Sequence, residues 1–440
     1  MIDEETFDAE VGDEPYYGMR KRTGAGLLFL LVVLLFIRVD NYKLTPVELI
    51  AGDHLFSIVR WEIKNFPQKW IHALWEAIPG NKPSREERLV IIDDYLQLAR
   101  KVQKEVDRVE GVLIRRSATQ GSAAAAKELV PNTEALEILT KERNALRAKA
   151  EEAVEAEISA LLAEMGFESR FGLIWPPVDI KFEEPPTLLV LSTRDKISLI
   201  SSILLDPDIK GVERDRIENE ILEKHNLSSY VDDLAGLATY PNFVNDLYTT
   251  RTVMRTAVHE WMHAFFFFKP LGKNLRKNDT MFTMNETVAD IIGRELGDMV
   301  FERIGGDLTI SASRYAPAED INPQFTKVMR ETRRRVDELL SEGKIEEAEE
   351  HMREQQWFLR LRGYGLRKLN QAYFAFRGRY AESPASTSPL GAQLNEIRDL
   401  LPSIEAFIRE IIEISSNAEL LALLDRLRAE AAAVESGSRI

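Results

Sequence analysis

Apolar positions along this chain change their spacing several times, and each change marks an element. From Gly24 to Ile37 they form an unbroken run of mainly Leu, Val and Phe, flanked by Arg20, Lys21 and Arg22. From about Ser84 to Arg116, and again from Thr133 to Met165, they recur at helical spacing among dense Glu, Lys and Arg, which predicts two long helices. The stretch Ser117 to Pro131, with Gly121, Ser122 and an alanine run, predicts a linker that folds them into an antiparallel hairpin. Pro176, Pro177, Pro185 and Pro186 then bracket Val178 to Phe182, and Thr187 to Leu191 is a compact run of strand character. Two strands are expected there, with a third over Gly236 to Tyr240 ended by Pro241. Helical spacing returns over Leu247 to Phe268, which lacks Gly and Pro and is stopped by Pro270 and Gly272. A further helix opens near Asn285 and runs through Ile291, Ile292, Leu296 and Val300 to Gly305 and Gly306.

The first apolar run reaches the ~20 residues of a bilayer span only if Thr23 and Val39 are counted and Arg38 snorkels. Arg38, Val39 and Asp40 stand where a signal-peptide cleavage site would need small residues, so an uncleaved transmembrane anchor over 23–39 is expected. Residues 1–22, rich in Asp and Glu, read as a disordered acidic tail, placed on the cytoplasmic side by the positive-inside bias. The expectation is a single-pass membrane protein with an extracytoplasmic catalytic part. Residues 40–80, with Trp61, Trp70 and Trp75 beside Lys64 and Lys69, read as a juxtamembrane amphipathic region. Residues 81–168 are the hairpin, a stalk on which a partner protein could dock, and 169–440 form the remaining domain, with a helical C-terminal part over 320–433. The expected fold class is α+β and mostly helical: N-terminal transmembrane helix, long helical hairpin, and a domain with a small sheet.

With 440 residues, the chain exceeds what a single core usually organises. A formal net charge of -15 disfavours nucleic acid as a partner, and neither a P-loop nor a dinucleotide fingerprint is present. Cysteine is absent, so any metal must sit on His and carboxylate ligands.

Such ligands occur at metal-binding spacing. His259-Glu260-Trp261-Met262-His263 lies within the predicted helix 247–268, where residues four apart share a face, so both imidazoles reach one metal while Glu260 projects towards a bound water. Catalytic zinc takes three protein ligands and leaves a position open. Downstream, Glu286 and Asp290 again lie four apart, and the assignment is Glu286 to the metal and Asp290 to the free ring N–H of a ligating histidine. A rival role for Glu286 is a capping box with Thr283 at a helix start.

HExxH followed by N-E-x-x-x-D resembles the gluzincin metallopeptidases, the thermolysin-like group, over about residues 250–300. The resemblance implies a zincin-like catalytic domain with Glu286 as third zinc ligand and Asp290 supporting the first histidine. The 22 residues between His263 and Glu286 are slightly more than in the thermolysin-like branch, which implies a longer connecting loop around Asp279, Thr280 and Met281. Glu286 to Asp290 also matches the E-x-x-A-D pattern of the integral-membrane gluzincin branch, whose second motif usually lies much farther away. A metzincin is excluded, because Phe266 and Lys269 stand where Gly and the third His are required.

The expected function is therefore hydrolysis of peptide or protein substrates by a Zn2+-activated water, with Glu260 as general base. Endopeptidase action is favoured, since nothing before His259 matches the aminopeptidase G-x-M-E-N segment. The resemblance also implies a downstream Tyr or His as oxyanion donor; Tyr364, Tyr373, Tyr380 and His351 are available, with Tyr373 and Tyr380 preferred. The competing expectation is a membrane-tethered helical scaffold whose zinc site is structural or lost.

Overall fold

The computed structural model describes residues 43–65, 83–118, 123–170, 172–309 and 322–437. The chain divides into two units, Met1–Ile50 and Ala51–Ile440. The described end of the first enters helix α1 (Pro46–Ala51), where Glu48 Oε2 accepts from the Thr45 N–H at 2.7 Å and Thr45 Oγ1 from the Glu48 N–H at 3.2 Å, a reciprocal cap.

Two expectations are corrected here. Among the described residues no helix is long and apolar enough to cross a membrane, so a fold class built on a transmembrane helix and a single-pass membrane localisation do not stand. The apolar run 24–37 itself lies outside the described residues. The two longest described helices, α2 (Arg85–Ala118) and α3 (Ala123–Glu164), carry charges on nearly every turn, which hydrocarbon does not tolerate. The architecture is mostly helical with small sheets.

Helices α2 and α3 lie against one another. The second starts at Ala123, not near Thr133, because the alanine run that resembled a linker is itself strongly helix-forming. The C-terminal half of α3 buries Val154, Ile158, Leu161 and Leu162 in the main core beside Ile92 and Tyr95 of α2, so this part of the hairpin is an integral wall and not a free stalk. Glu157, fully buried on α3, is compensated by Arg85 at 3.2 Å, Arg88 at 3.1 Å and Arg303 at 3.7 Å.

Among the described residues, six short strands make two three-stranded sheets. One contains β1 (Ile180–Phe182), β5 (Gly236–Leu237) and β6 (Asn242–Val244) in the order β1-β6-β5; the other is antiparallel, with β2 (Thr187–Ser192), β3 (Leu199–Leu205) and β4 (Ser228–Asp232) in the order β3-β2-β4. β1 and β6 are parallel, β5 and β6 antiparallel. The outer edge of β1 is closed by α3, whose Glu155 and Glu151 accept from the N–H groups of Ile180 and Phe182, both at 2.8 Å. Trp61, expected at lipid headgroups, is instead buried and stacked on Phe243 of β6 with ring centroids 3.8 Å apart. Helix α4 (Gly211–His225) connects β3 to β4.

Helix α5 (Thr250–Phe266) is followed by the single turn α6 (Pro270–Lys273) and by α7 (Asp279–Arg303). On α5, Arg251, Arg255, His259 and His263 form a stripe at intervals of four; on α7, Glu286, Asp290, Gly293 and Gly297 form another. The stripes meet head to tail. A Cβ built on Gly297 would stand 2.7 Å from the Arg255 backbone nitrogen, and one on Gly293 would stand 3.0 Å from His259 Cβ and 3.1 Å from the Arg255 carbonyl oxygen. Asp298 clamps the same crossing: both of its oxygens are held by Arg251 and by Arg255 at 2.6–2.7 Å. That pairing holds the Asp298 carboxyl down at about 2 even though its partial burial acts in the opposite sense.

Helices α8 (Pro323–Ser341), α9 (Ile345–Leu361) and α10 (Gln371–Arg377) form a second core with the β2–β4 sheet, around Val190, Tyr230, Phe325, Met329 and Phe374. Helices α11 (Leu390–Leu400), α12 (Ile404–Ile411) and α13 (Asn417–Gly437) back onto the main core through Leu394, Ile397, Phe407 and Leu420.

Gly297→Ala should destabilise the fold by about 1–3 kcal/mol in urea unfolding, because the added methyl collides first with the Arg255 backbone, which cannot swing aside, as well as with its Cγ; an unchanged midpoint would show that the helices have slack at this crossing. Asp298 titrates lower in the folded chain than its ordinary 3.8, so its stabilisation is complete above 3.8 and is lost as pH falls towards about 2. Asp298→Asn should therefore flatten the acid limb of the stability curve in that window, and an unaltered slope would rule the clamp out as its source.

Candidate metal centre

Helix α5 starts where the Thr249 hydroxyl accepts from the Thr252 N–H, and one side of it is buried through Val253, Met254, Ala257, Val258, Trp261 and Met262. That burial fixes the rotation of the helix, so the histidine stripe must face α7. Helix α7 begins earlier than its apolar spacing indicates. The Asn278 side chain accepts from the Met281 N–H at 2.9 Å, which takes Asp279, Thr280 and Met281 into the first turn. Thr283 and Glu286 then lie inside the helix, which removes the capping-box role for Glu286 at a helix start.

The two stripes bring His259, His263, Glu286 and Asp290 together. His259 Nε2 and His263 Nε2 are 3.0 Å apart, and Glu286 Oε2 lies 3.8 Å from the first and 3.5 Å from the second. Ligands bound tetrahedrally at roughly 2.0–2.1 Å are separated by about 3.3–3.4 Å, so the three edges of this triangle straddle the required length. The other ring nitrogens are engaged: His259 Nδ1 lies 3.0 Å from Asp290 Oδ1, and His263 Nδ1 lies 2.9 Å from Asn285 Oδ1. Both partners are acceptors, so each Nδ1 carries a proton and, in the neutral rings, each Nε2 turns a bare lone pair to the centre. Two lone pairs and a carboxylate oxygen so close together repel one another unless a cation lies between them.

The titration behaviour reflects the same demand. Burial alone would push the His259 imidazole down, but hydrogen bonds to Asp290 and Glu286 prevail and raise it well above its ordinary range. Burial would likewise lift Glu286, yet the two histidines hold it well below the usual carboxylate range. A field that retains protons this strongly equally favours a divalent metal.

Glu260, adjacent in sequence, also presents an oxygen within 4.8 Å of both imidazoles. Glu286 approaches them more closely and completes the triangle, so Glu286 is the better third ligand and Glu260 is left beside the centre. Burial raises the Glu260 carboxyl, the histidines pull it down, and Glu286 and Asp290 add to the rise, with a net upward displacement. Its position depends on β5. A Cβ on Gly236 would stand 2.6 Å from Thr256 Cγ2 and 2.7 Å from Glu260 Cγ, and would collide with Glu260 Oε1.

The tyrosine candidates separate. Tyr380 is partly buried and feels the charge of the site carboxylates: desolvation and then the charges of Glu286 and Asp290 raise its hydroxyl well above the ordinary range, so it persists as a neutral O–H donor. Tyr373 belongs to the second core, packed edge-on against Tyr230 with ring centroids 5.3 Å apart. Tyr364 stands in that core as well, 4.8 Å from Phe325, while His351 lies on α9. Neither of these three is brought to the histidines. Arg379, next to Tyr380, lies 3.4 Å over the Phe282 ring and 3.4 Å from Asp279, with its Nε buried and without a hydrogen-bond partner.

The chain matches no protein-family model, no curated protein and no solved structure.

Asn285, Gly236 and Arg379 carry no role in the sequence analysis. Asn285 was visible as the residue before Glu286 in the motif, and Gly293-x-x-x-Gly297 is a spacing that marks close helix approach; Gly236 and Arg379 have no local signature. Asp290→Ala should weaken binding of a divalent metal by about 10–100-fold in chelator competition, because His259 loses the acceptor that fixes its tautomer. An affinity equal to the parent's would remove Asp290 from the centre.

Proposed function

We propose that this chain is a zinc-dependent peptidase whose metal is held by His259, His263 and Glu286. The observation that carries this reading is the convergence of His259 Nε2, His263 Nε2 and Glu286 Oε2 at 3.0–3.8 Å, with both outer ring nitrogens already committed to acceptors. Two imidazoles and one carboxylate, with no thiolate in the chain, form the ligand set of hydrolytic zinc sites with one position open. Bound there, zinc would polarise the scissile carbonyl and acidify the attacking water.

The other roles fall to the chain itself. Glu260 takes the proton of the attacking water and passes it to the departing amine, and its upward displacement brings it nearer to the pH at which it must both accept and donate. Gly236 leaves the space in which that carboxylate lies. Tyr380, kept protonated by the surrounding negative charge, donates its O–H to the developing oxyanion. Asp290 and Asn285 hold the histidine tautomers.

Elemental mass spectrometry on the purified full chain should find one zinc per chain, lost in Glu286→Ala. Glu260→Gln should retain the metal yet lower turnover of a peptide library by at least ~100-fold. Zinc retained in the Glu286→Ala protein would overturn the ligand assignment, and a loaded parent with no hydrolysis of any peptide would overturn the peptidase.

A further inference from the structure

Asn322, which caps α8, and Thr326, Arg330 and Arg334 on the helix follow one another at intervals of four. Their cationic neighbours have partners: Lys327 faces Glu331 at 3.9 Å, Arg333 bonds Asp337 at 2.8 Å and Arg335 bonds Glu338 at 3.1 Å. Arg330 and Arg334 have neither ion pair nor hydrogen bond among the described residues, and Arg330 Nε is buried. A partly buried guanidinium such as that of Arg330, without a counter-charge, is costly. Arg334, one turn further on, is exposed, and in a chain of net charge -15 two adjacent arginines without a counter-charge stand out.

Both arginines line a cavity of about 330 Å³, opposite Ser386, Thr387, Ser388 and Asn395, and they also border a second cavity of about 470 Å³ along α8. Hydroxyls facing two guanidinium forks make a surface for an oxyanion. The one carboxylate on the wall of the smaller cavity, Glu382, is already engaged by Arg294 and by Asn395 Nδ2, and is not turned over to Arg330 or Arg334.

The cavity adjoins the metal centre by covalent and hydrogen-bonded steps. Ala381, on its wall, follows Tyr380 and donates its N–H to Thr287 Oγ1 at 3.2 Å, and Thr287 follows Glu286. Arg294, which holds Glu382, lies one turn beyond Asp290 on α7. A ligand in this cavity therefore sits against the loop that follows the proposed oxyanion donor, and that loop is hydrogen-bonded to the helix carrying Glu286.

We propose that the Arg330–Arg334 cavity is an oxyanion-binding site that receives the carboxylate of an acidic side chain in a peptide bound at the neighbouring metal centre. The oxyanion chemistry stands on the arginines alone; the peptide as its source rests on the peptidase reading. A free phosphate offers the guanidinium forks the same chemistry and is the alternative source.

Isothermal titration calorimetry on the full chain carrying Glu260→Gln tests this with an end-blocked octapeptide containing one Glu, the same peptide with Gln in its place, and inorganic phosphate. The Glu peptide should bind about tenfold or more tightly than the Gln peptide. That preference should vanish in Arg330→Gln/Arg334→Gln and be partly restored in Arg330→Lys/Arg334→Lys, with thermal unfolding unchanged as the check on folding. Displacement of the Glu peptide by millimolar phosphate would support a shared oxyanion site. Equal binding of the two peptides overturns the peptide source, and phosphate binding in that case identifies a free anion as the occupant. A preference that survives the double Gln change in a folded protein overturns the site. A Glu preference in a chain that neither holds zinc nor cleaves peptides keeps the pocket and removes the peptidase.

Discussion

Everything at the candidate centre depends on how closely two helix backbones approach. Gly293 and Gly297 let α7 lie against the α5 main chain at Arg255 and His259, tightly at Gly293 and, at Gly297, closer than a residue with a Cβ would permit. The ionic clamp of Asp298 on Arg251 and Arg255 then fixes the crossing along the axis. With crossing and rotation both set, Asp290 and Glu286 arrive opposite His259 and His263 without any further device. The chemistry is an outcome of steric permission in one place and charge in another.

The surrounding fold holds that pair of helices from several sides. The alternation of buried and charged positions on α3 backs the main core and closes the free edge of β1, so that the sheet bearing β5 is anchored at its far side. Glu157 joins the hairpin to the end of α7 through Arg303. The β2–β4 sheet with α8–α10 forms a core of its own, and the loop leaving α10 carries Tyr380 and Arg379 towards the candidate centre.

How much of this was legible in the sequence follows from range. His259, Glu260 and His263 are readable because intrahelical spacing is enough to place them on a face, and Glu286 with Asp290 is readable for the same reason. What neither stretch could state is that the two faces meet, since that rests on glycines whose contribution is an absent atom. Tyr373 and Tyr380 looked equivalent because both lie in an aromatic helical segment. The helix α10 ends at Arg377, leaving Tyr373 in the second core and Tyr380 in the turn beyond it. Strands β3 and β4 escaped notice because their serines weaken the apolar alternation, and β4 is buried at every position and so has none to show. Trp61 resembled an interfacial residue because an indole that stacks on Phe243 has the same composition as one that meets a headgroup.

The opposed stripes on α5 and α7 share one period, and that has a consequence for how the centre comes into being. Arg255 with Gly297, His259 with Gly293 and Asp290, and His263 with Glu286 and Asn285 are matched at a single alignment. A slip of one helical turn, about 5.4 Å, would set a glycine gap against the wrong side chain and part every one of these pairs at once. Assembly of the centre is accordingly a digital event: the two helices are in gear and present a whole site, or out of gear and present none.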